Sequence, residues 1–196
     1  MKTKIISALI MVAFSVSLSG CATVEDNKGA AVGGTLGAAA GVLLGGSTSG
    51  RIVGGLIGAL VGGAIGHYAY DKQRSSEDTA KKYSYKASQG SVLTIENAYA
   101  SPEVVSPGGI VSIKLTYAVL NPSSDQVTKL TETRELSHKE KMVGKPQIVV
   151  ERKGGTYTSS IPVTLPKNAD PGVYNVRTIV KSDTASDERS FKFTVR

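Results

Sequence analysis

Few side chains in this 196-residue sequence are equipped for covalent chemistry, and they lie far apart. Cys21 is the one cysteine, and the two histidines, His67 and His138, fall in segments of different composition. A catalytic site needs a nucleophile beside a base, paired carboxylates in a cleft, or clustered metal ligands. The spacing offers none of these, so no enzyme, cofactor or metal centre is expected. Asp125, Asp183, Asp187 and Glu188 could meet around calcium at one end of a β domain, but their spacing follows no calcium-loop pattern. What remains is the thiol of Cys21, and its flanks define its chemistry.

Lys2 and Lys4 precede an apolar run from Ile5 to Val16, and small residues follow. That is the plan of a secretory signal, expected over residues 1–20. The tetrapeptide Leu18-Ser19-Gly20-Cys21 resembles the bacterial lipobox. The resemblance implies that Cys21 becomes the first mature residue, carrying a thioether-linked diacylglycerol and an N-acyl chain, with residues 21–28 as a lipidated tether. Several chains anchor firmly where one is marginal. In the lipoprotein sorting pattern an Asp after the Cys marks the inner membrane, so Ala22 implies the outer one. The formal charge of +7 falls to +5 once Lys2 and Lys4 leave with the signal. Without a dense basic patch and interleaved aromatics, no nucleic acid is expected as a partner.

Of the 22 glycines, 14 fall between Gly29 and Gly66, where Arg51 is the lone charged side chain. They recur every fourth residue in two tracks: Gly29, Gly33, Gly37, Gly41, Gly45, then Gly50, Gly54, Gly58, Gly62, Gly66. A four-residue step advances about 400° on an α-helix, so each track draws a groove along one face. Such a groove admits a close small-xxx-small crossing. Ser47-Thr48-Ser49 breaks the tracks, so residues 29–70 are expected to form a membrane helical hairpin. Each glycine costs about 0.8 to 1 kcal/mol against Ala in a helix, which disfavours the hairpin in water. In a bilayer the backbone must satisfy itself, which favours it. Gly29 to Gly46 would rise about 27 Å and Arg51 to Tyr70 about 30 Å, each close to one bilayer core. A flexible Gly/Ala linker and a hairpin lying on the membrane surface are the alternatives.

This window resembles the glycine-zipper (2TM) lipoproteins of bacterial outer membranes, the group that includes the rickettsial surface antigen. The resemblance covers about Cys21 to Tyr70 and implies membrane insertion and a role in envelope integrity; because each helix is only weakly hydrophobic, they are expected to insert as a packed pair or homo-oligomer through the zipper glycines.

Residues 71–90 read as a polar linker, with Tyr68 and Tyr70 suited to the headgroup region and Ser75 placed to cap a short helix with Asp78. From Ser91 the period becomes two: Val111, Ile113, Leu115, Tyr117 and Val119 alternate with polar residues. Further strands are expected over 92–98, 127–136, 147–152, 157–163, 173–181 and 189–195, about seven in residues 91–196. Asp170-Pro171-Gly172-Val173-Tyr174 resembles the tyrosine corner of immunoglobulin domains, with Val176 where the family has Cys. The resemblance implies an Ig-like sandwich of bacterial or fibronectin type. In that fold the loops Asn121–Gln126 and Ser182–Glu188 would face the membrane. The loop Ser137–Gly144 would point away, as a partner-binding edge or simply a solvated loop.

The expected fold class is thus multi-part: a short Gly-zipper α-helical hairpin followed by an all-β Ig-like sandwich. The expected protein is a non-enzymatic lipoprotein of the outer membrane whose β domain, in the periplasm, contacts an envelope protein or polymer. A surface-displayed adhesin or secretion-apparatus subunit, and a zipper-built oligomeric pore, are the alternatives.

Overall fold

The computed structural model describes residues 50–52 and 63–196. Its strands are β1 (Gly50–Ile52), β2 (Ala64–Ile65), β3 (Ala69–Arg74), β4 (Val92–Ser101), β5 (Val104–Val105), β6 (Ile110–Leu120), β7 (Thr128–His138), β8 (Lys141–Gly144), β9 (Gln147–Arg152), β10 (Gly155–Thr164), β11 (Gly172–Lys181) and β12 (Ser186–Val195). One helix, α1 (Ser76–Lys82), and a 3-10 turn at Ala87–Gln89 join β3 to β4. The described residues are thus largely all-β. The seven expected strands correspond to β4, β6, β7, β9, β10, β11 and β12.

Two sheets enclose one core. In the first the order is β2-β10-β6-β4, with β3 following β2 along the same edge of β10. In the second it is β1-β9-β7-β11-β12-β5, with β8 beside β7. The two-residue period is the cause: Val111, Ile113, Leu115, Tyr117 and Val119 of β6 all point inward and are fully buried. They meet Leu130, Leu136, Ile148, Val150, Val176 and Val180 from the opposite sheet.

Tight turns hold this register. Lys139 and Glu140 both take positive φ, 47° and 65°, so β7 and β8 form a short hairpin where an eight-residue loop over Ser137–Gly144 was expected. Backbones of that hand match the twist of paired strands. Gly172 opens β11 at φ 132°, and a Cβ there would lie 2.9 Å from the His138 ring. Two residues on, the Tyr174 hydroxyl donates to the Asp170 carbonyl at 3.0 Å. Tyr157 repeats the device on β10, donating to the Lys153 carbonyl at 3.0 Å. Tyr174 also stacks between His138 and Phe193, with ring centroids 4.4 and 5.2 Å away.

The N-terminal boundary differs from the expected one. Residues 64–90 belong to the β domain rather than to a membrane helix and a linker. β3 pairs antiparallel with β10, Ala69 opposite Ser160 and Tyr70 opposite Ser159. Tyr68 is 1% exposed, inside the core and not at a headgroup layer. Gly66 donates its N–H to the Pro162 carbonyl and sits so close that a Cβ would lie 2.7 Å from the proline ring. Gly50 is likewise extended, opposite Arg152 of β9. An Arg51–Tyr70 span is therefore not formed here: a sheet edge offers glycine-rich backbone the ladder bonds that a costly helix would otherwise supply. Among the described residues no helix is long and apolar enough to cross a membrane. The first helix, over Gly29–Gly46, lies outside the described residues.

Tyr174→Phe and Tyr157→Phe should each cost about 0.5 to 1.5 kcal/mol, the net worth of one hydrogen bond. Urea unfolding midpoints measure this, and midpoints equal to wild type would mean that neither corner holds its strand.

Candidate functional site

The residues expected to carry lipid chemistry, Leu18, Ser19, Gly20 and Cys21, lie outside the described residues, as do Gly29, Gly33, Gly37, Gly41, Gly45, Gly54, Gly58 and Gly62. The described chain has a different concentration of polar chemistry, absent from the expected site residues: a charged network buried where the N-terminal strands meet the sandwich.

Glu132 and Arg134 stand two apart on the inner face of β7, between Leu130 and Leu136. Arg152 ends the inner face of β9 after Ile148 and Val150. All three charged side chains are fully buried. The Glu132 carboxylate accepts four hydrogen bonds. Its Oε1 receives the hydroxyls of Tyr68 and Tyr117, each at 2.7 Å. Its Oε2 receives Ser159 Oγ at 2.7 Å and Arg134 Nη2 at 3.0 Å. Arg152 donates Nη2 to Tyr68 Oη at 2.8 Å and Nε to Tyr117 Oη at 3.2 Å. Its guanidinium carbon lies 4.0 Å from the Tyr70 ring centroid and 5.1 Å from that of Tyr157.

The electrostatics follow from this packing. Burial alone would push the Glu132 carboxyl up, but Arg134 and Arg152, with the Ser159 and Tyr68 hydroxyls, hold it below its ordinary range. Burial drives Tyr117 well above its ordinary value, so it stays a neutral donor. One carboxylate faces two guanidiniums, and the faces of Tyr70 and Tyr157 help to offset the extra cation. Arg134 Nε and Nη1 are buried with no hydrogen-bond partner among the described residues. The cluster is fully buried and ties strands of both sheets and the segment before β3 to one carboxylate.

A second, shallower cluster ties α1 and β3 to β4. Glu96, at the bulge in β4, pairs with Arg74 and with Lys82 Nζ at 2.9 Å, and accepts the Tyr83 hydroxyl at 2.9 Å. Burial works against its charge, yet these hydrogen bonds from Arg74, Lys82 and Tyr83 bring its pKa down to about 2. Ser75 caps α1, accepting the Asp78 N–H at 3.0 Å.

The other expected residues are dispersed. Asp125 pairs with Lys153, Glu188 with Arg177, and Asp187 accepts the Ile95 N–H at 2.6 Å, so three of the four acids considered for calcium are each engaged separately. Among the described residues no three His, Cys, Asp or Glu side chains gather as metal ligands. His138 is buried, with Nδ1 2.9 Å from the Val173 carbonyl. Asp170, Gly172 and Tyr174 meet at the corner described above. The missed residues did leave a signal: in Leu130-x-Glu132-x-Arg134-x-Leu136, the period of two puts both charges on the leucine face.

Residues 1–70, just over a third of the chain, match the YMGG-like Gly-zipper family. No curated protein matches the chain. Among solved structures, a β-glucosidase from Listeria innocua in complex with glucose is 18% identical at a TM-score of 0.37, covering 54% of this chain and 16% of the enzyme. A family 123 glycoside hydrolase from Clostridium perfringens is 12% identical at 0.34, over 54% and 26%. An alkylpurine DNA glycosylase from Pseudomonas fluorescens, bound to DNA containing an abasic site analogue, is 14% identical at 0.40, over 62% and 37%. The chain thus spans well under two thirds of each of them, and at such scores their activities do not bear on it.

Glu132→Leu strands two buried guanidiniums and should cost about 3 to 5 kcal/mol, the penalty for breaking a buried pair. Tyr68→Phe, which removes one donor, should cost about 1 to 3 kcal/mol. Chemical denaturation reads both, and near-neutral values would mean that the network does not hold the N-terminal strands.

The Glu96 pairing also sets a pH dependence. Because its folded pKa is depressed, its contribution is complete above the ordinary carboxylate value of 4.5 and is lost as pH falls from there through about 2. Wild type should lose stability over that window relative to Glu96→Gln, whose curve should be flatter in thermal melts across the same pH range.

Proposed function

We propose that this chain is a non-enzymatic, lipid-anchored protein of the bacterial outer membrane. The first glycine track, Gly29 to Gly45, inserts and self-associates, and the β domain is an Ig-like module that contacts another envelope component. The match of residues 1–70 to a Gly-zipper family supports the membrane part. The lipobox-like Leu18-Ser19-Gly20-Cys21 supports the anchor.

Strand order supports the Ig-like reading. In immunoglobulin lettering β4, β6 and β10 correspond to A, B and E, and β9, β7, β11 and β12 to C′, C, F and G. β2 and β3 fill the edge that strand D takes in that fold. Tyr174 stands near the start of the F-equivalent strand, with its hydroxyl on a carbonyl four residues upstream.

The observation that carries the proposal is that the end of the glycine window is built into the β domain. β2 and β3 hydrogen-bond along β10, and Tyr68 reaches the core. Residues 64–74, at the end of that window, are thus part of the module rather than a free linker beside it. Residue 50 enters beside Arg152 and Thr128, at the end that also bears the 121–127, 153–154 and 182–185 turns, while Val195 ends at the opposite one. The module thus stands with the β7–β8 hairpin and the C-terminus away from the anchor.

One observation favours the surface-displayed alternative. With β1 and β2 on the sandwich, only the first track is left to cross, and a single crossing from a periplasmic-leaflet lipid delivers the domain outside.

Protease protection of an epitope tag after Arg196, in intact and then outer-membrane-permeabilised cells, separates the two readings. Cleavage only after permeabilisation is expected for a periplasmic scaffold, and cleavage in intact cells for a displayed module. Cys21→Ser should move the protein out of the outer-membrane fraction; an unchanged distribution would remove the lipid anchor from the proposal.

A further inference from the structure

We propose that the segment formed by Gly50–Ile52 and Ala64–Arg74 is a releasable strap: it closes the sandwich edge while the protein is in water and leaves that edge for the bilayer at a membrane surface. This deepens the membrane reading above and rests on it.

Three features of the structure converge on release. First, the strap occupies edges only. β1 covers three residues of β9, β2 covers two of β10, and β3 covers five more with a bulge between Thr156 and Tyr157. The seven long strands from β4 to β12 pair among themselves without it. Unpaired edges invite other chains, so an edge cover serves the protein in transit through water.

Second, the strap caps buried charge as well as part of the apolar core. Its two inward aromatics engage the buried ionic groups: Tyr68 bonds Glu132 and Arg152, and Tyr70 lies against the Arg152 guanidinium. Uncovering an apolar core is opposed by the whole area exposed, whereas uncovering a carboxylate and a guanidinium returns them to the water that burial denied them. At the edge over β10, rehydration of these groups therefore offsets part of the cost of opening.

Third, the strap's own composition suits an interface. Tyr68 and Tyr70 follow a glycine-rich apolar run and precede Lys72 and Arg74. Tyrosines settle at the headgroup layer and cations meet anionic lipid there. The same residues thus have two partners, the edge of β10 and the membrane, and cannot serve both at once.

A disulfide across β3 and β10 tests this. Ala69 and Ser160 are cross-strand partners, and Cys21, the only cysteine present, is acylated in the proposed protein. Full-length lipoprotein carrying Ala69→Cys and Ser160→Cys is reconstituted on phosphatidylethanolamine/phosphatidylglycerol vesicles containing a photoactivatable lipid. Ser101→Cys with Ser112→Cys, which staples β4 to β6, serves as the control. Wild type, the control and the reduced lock should lose amide-exchange protection along Thr156–Ser160 and gain lipid crosslinks at Ile65–Tyr70 on vesicles. The oxidised lock should show neither, and Tyr68→Phe should crosslink at lower vesicle concentration. Acylated protein that floats with the vesicles while β10 stays protected in every form overturns the strap alone. Protein without acyl groups on Cys21 that stays in solution overturns the strap and the membrane anchor together.

Discussion

The Glu132 carboxylate, sealed between two sheets, is the constraint around which the described chain is arranged. A buried charge is tolerated only when its lone pairs are filled, and here four donors from four segments fill them. Tyr117 comes from β6, Ser159 from β10, Arg134 from β7 itself, and Tyr68 from the approach to β3. Satisfying that one group brings both sheets and the N-terminal segment to a common point. A one-residue slip of any of these strands would turn its donor to the outside face, so the carboxylate fixes register as well as position.

The consequence for the N-terminal segment is the most informative. Glycine-rich backbone makes poor helix in water, and the free edge of β10 offers it ladder bonds without that cost. Gly66 fits against Pro162 only because it lacks a Cβ, so a residue that reads as part of a helix-packing stripe here serves a close approach to a sheet. Arg74 and Lys82 then converge on Glu96 and fasten the chain as it turns through α1 into β4. From Ala64 onward the chain has ladder bonds, a capped helix or a buried side chain at nearly every step, which makes residues 64–90 mechanically continuous with the sandwich.

That continuity bears on how such a protein could work. A flexible linker would let the sandwich move freely against the chain that precedes it, whereas strands β2 and β3 fix residues 64–74 on the edge of β10.

The sequence by itself determined the strand content of the C-terminal half, because period-two alternation and Gly/Pro turns are local signals: the inward rows of β6, β9 and β11 can be read residue by residue. It also determined the corner at Asp170-Pro171-Gly172-Val173-Tyr174, where turn chemistry and the tyrosine lie within five residues. Leu130-x-Glu132-x-Arg134-x-Leu136 carried a legible sign of a charged pair on a core face, but not its partners, since Tyr68 and Ser159 are distant in sequence. Only tertiary structure decided the state of Gly50–Ile52 and Ala64–Arg74. A four-residue glycine repeat is a helical pattern when the chain is considered alone, and an unpaired sheet edge more than eighty residues downstream overrides it by offering the same backbone better-satisfied hydrogen bonds.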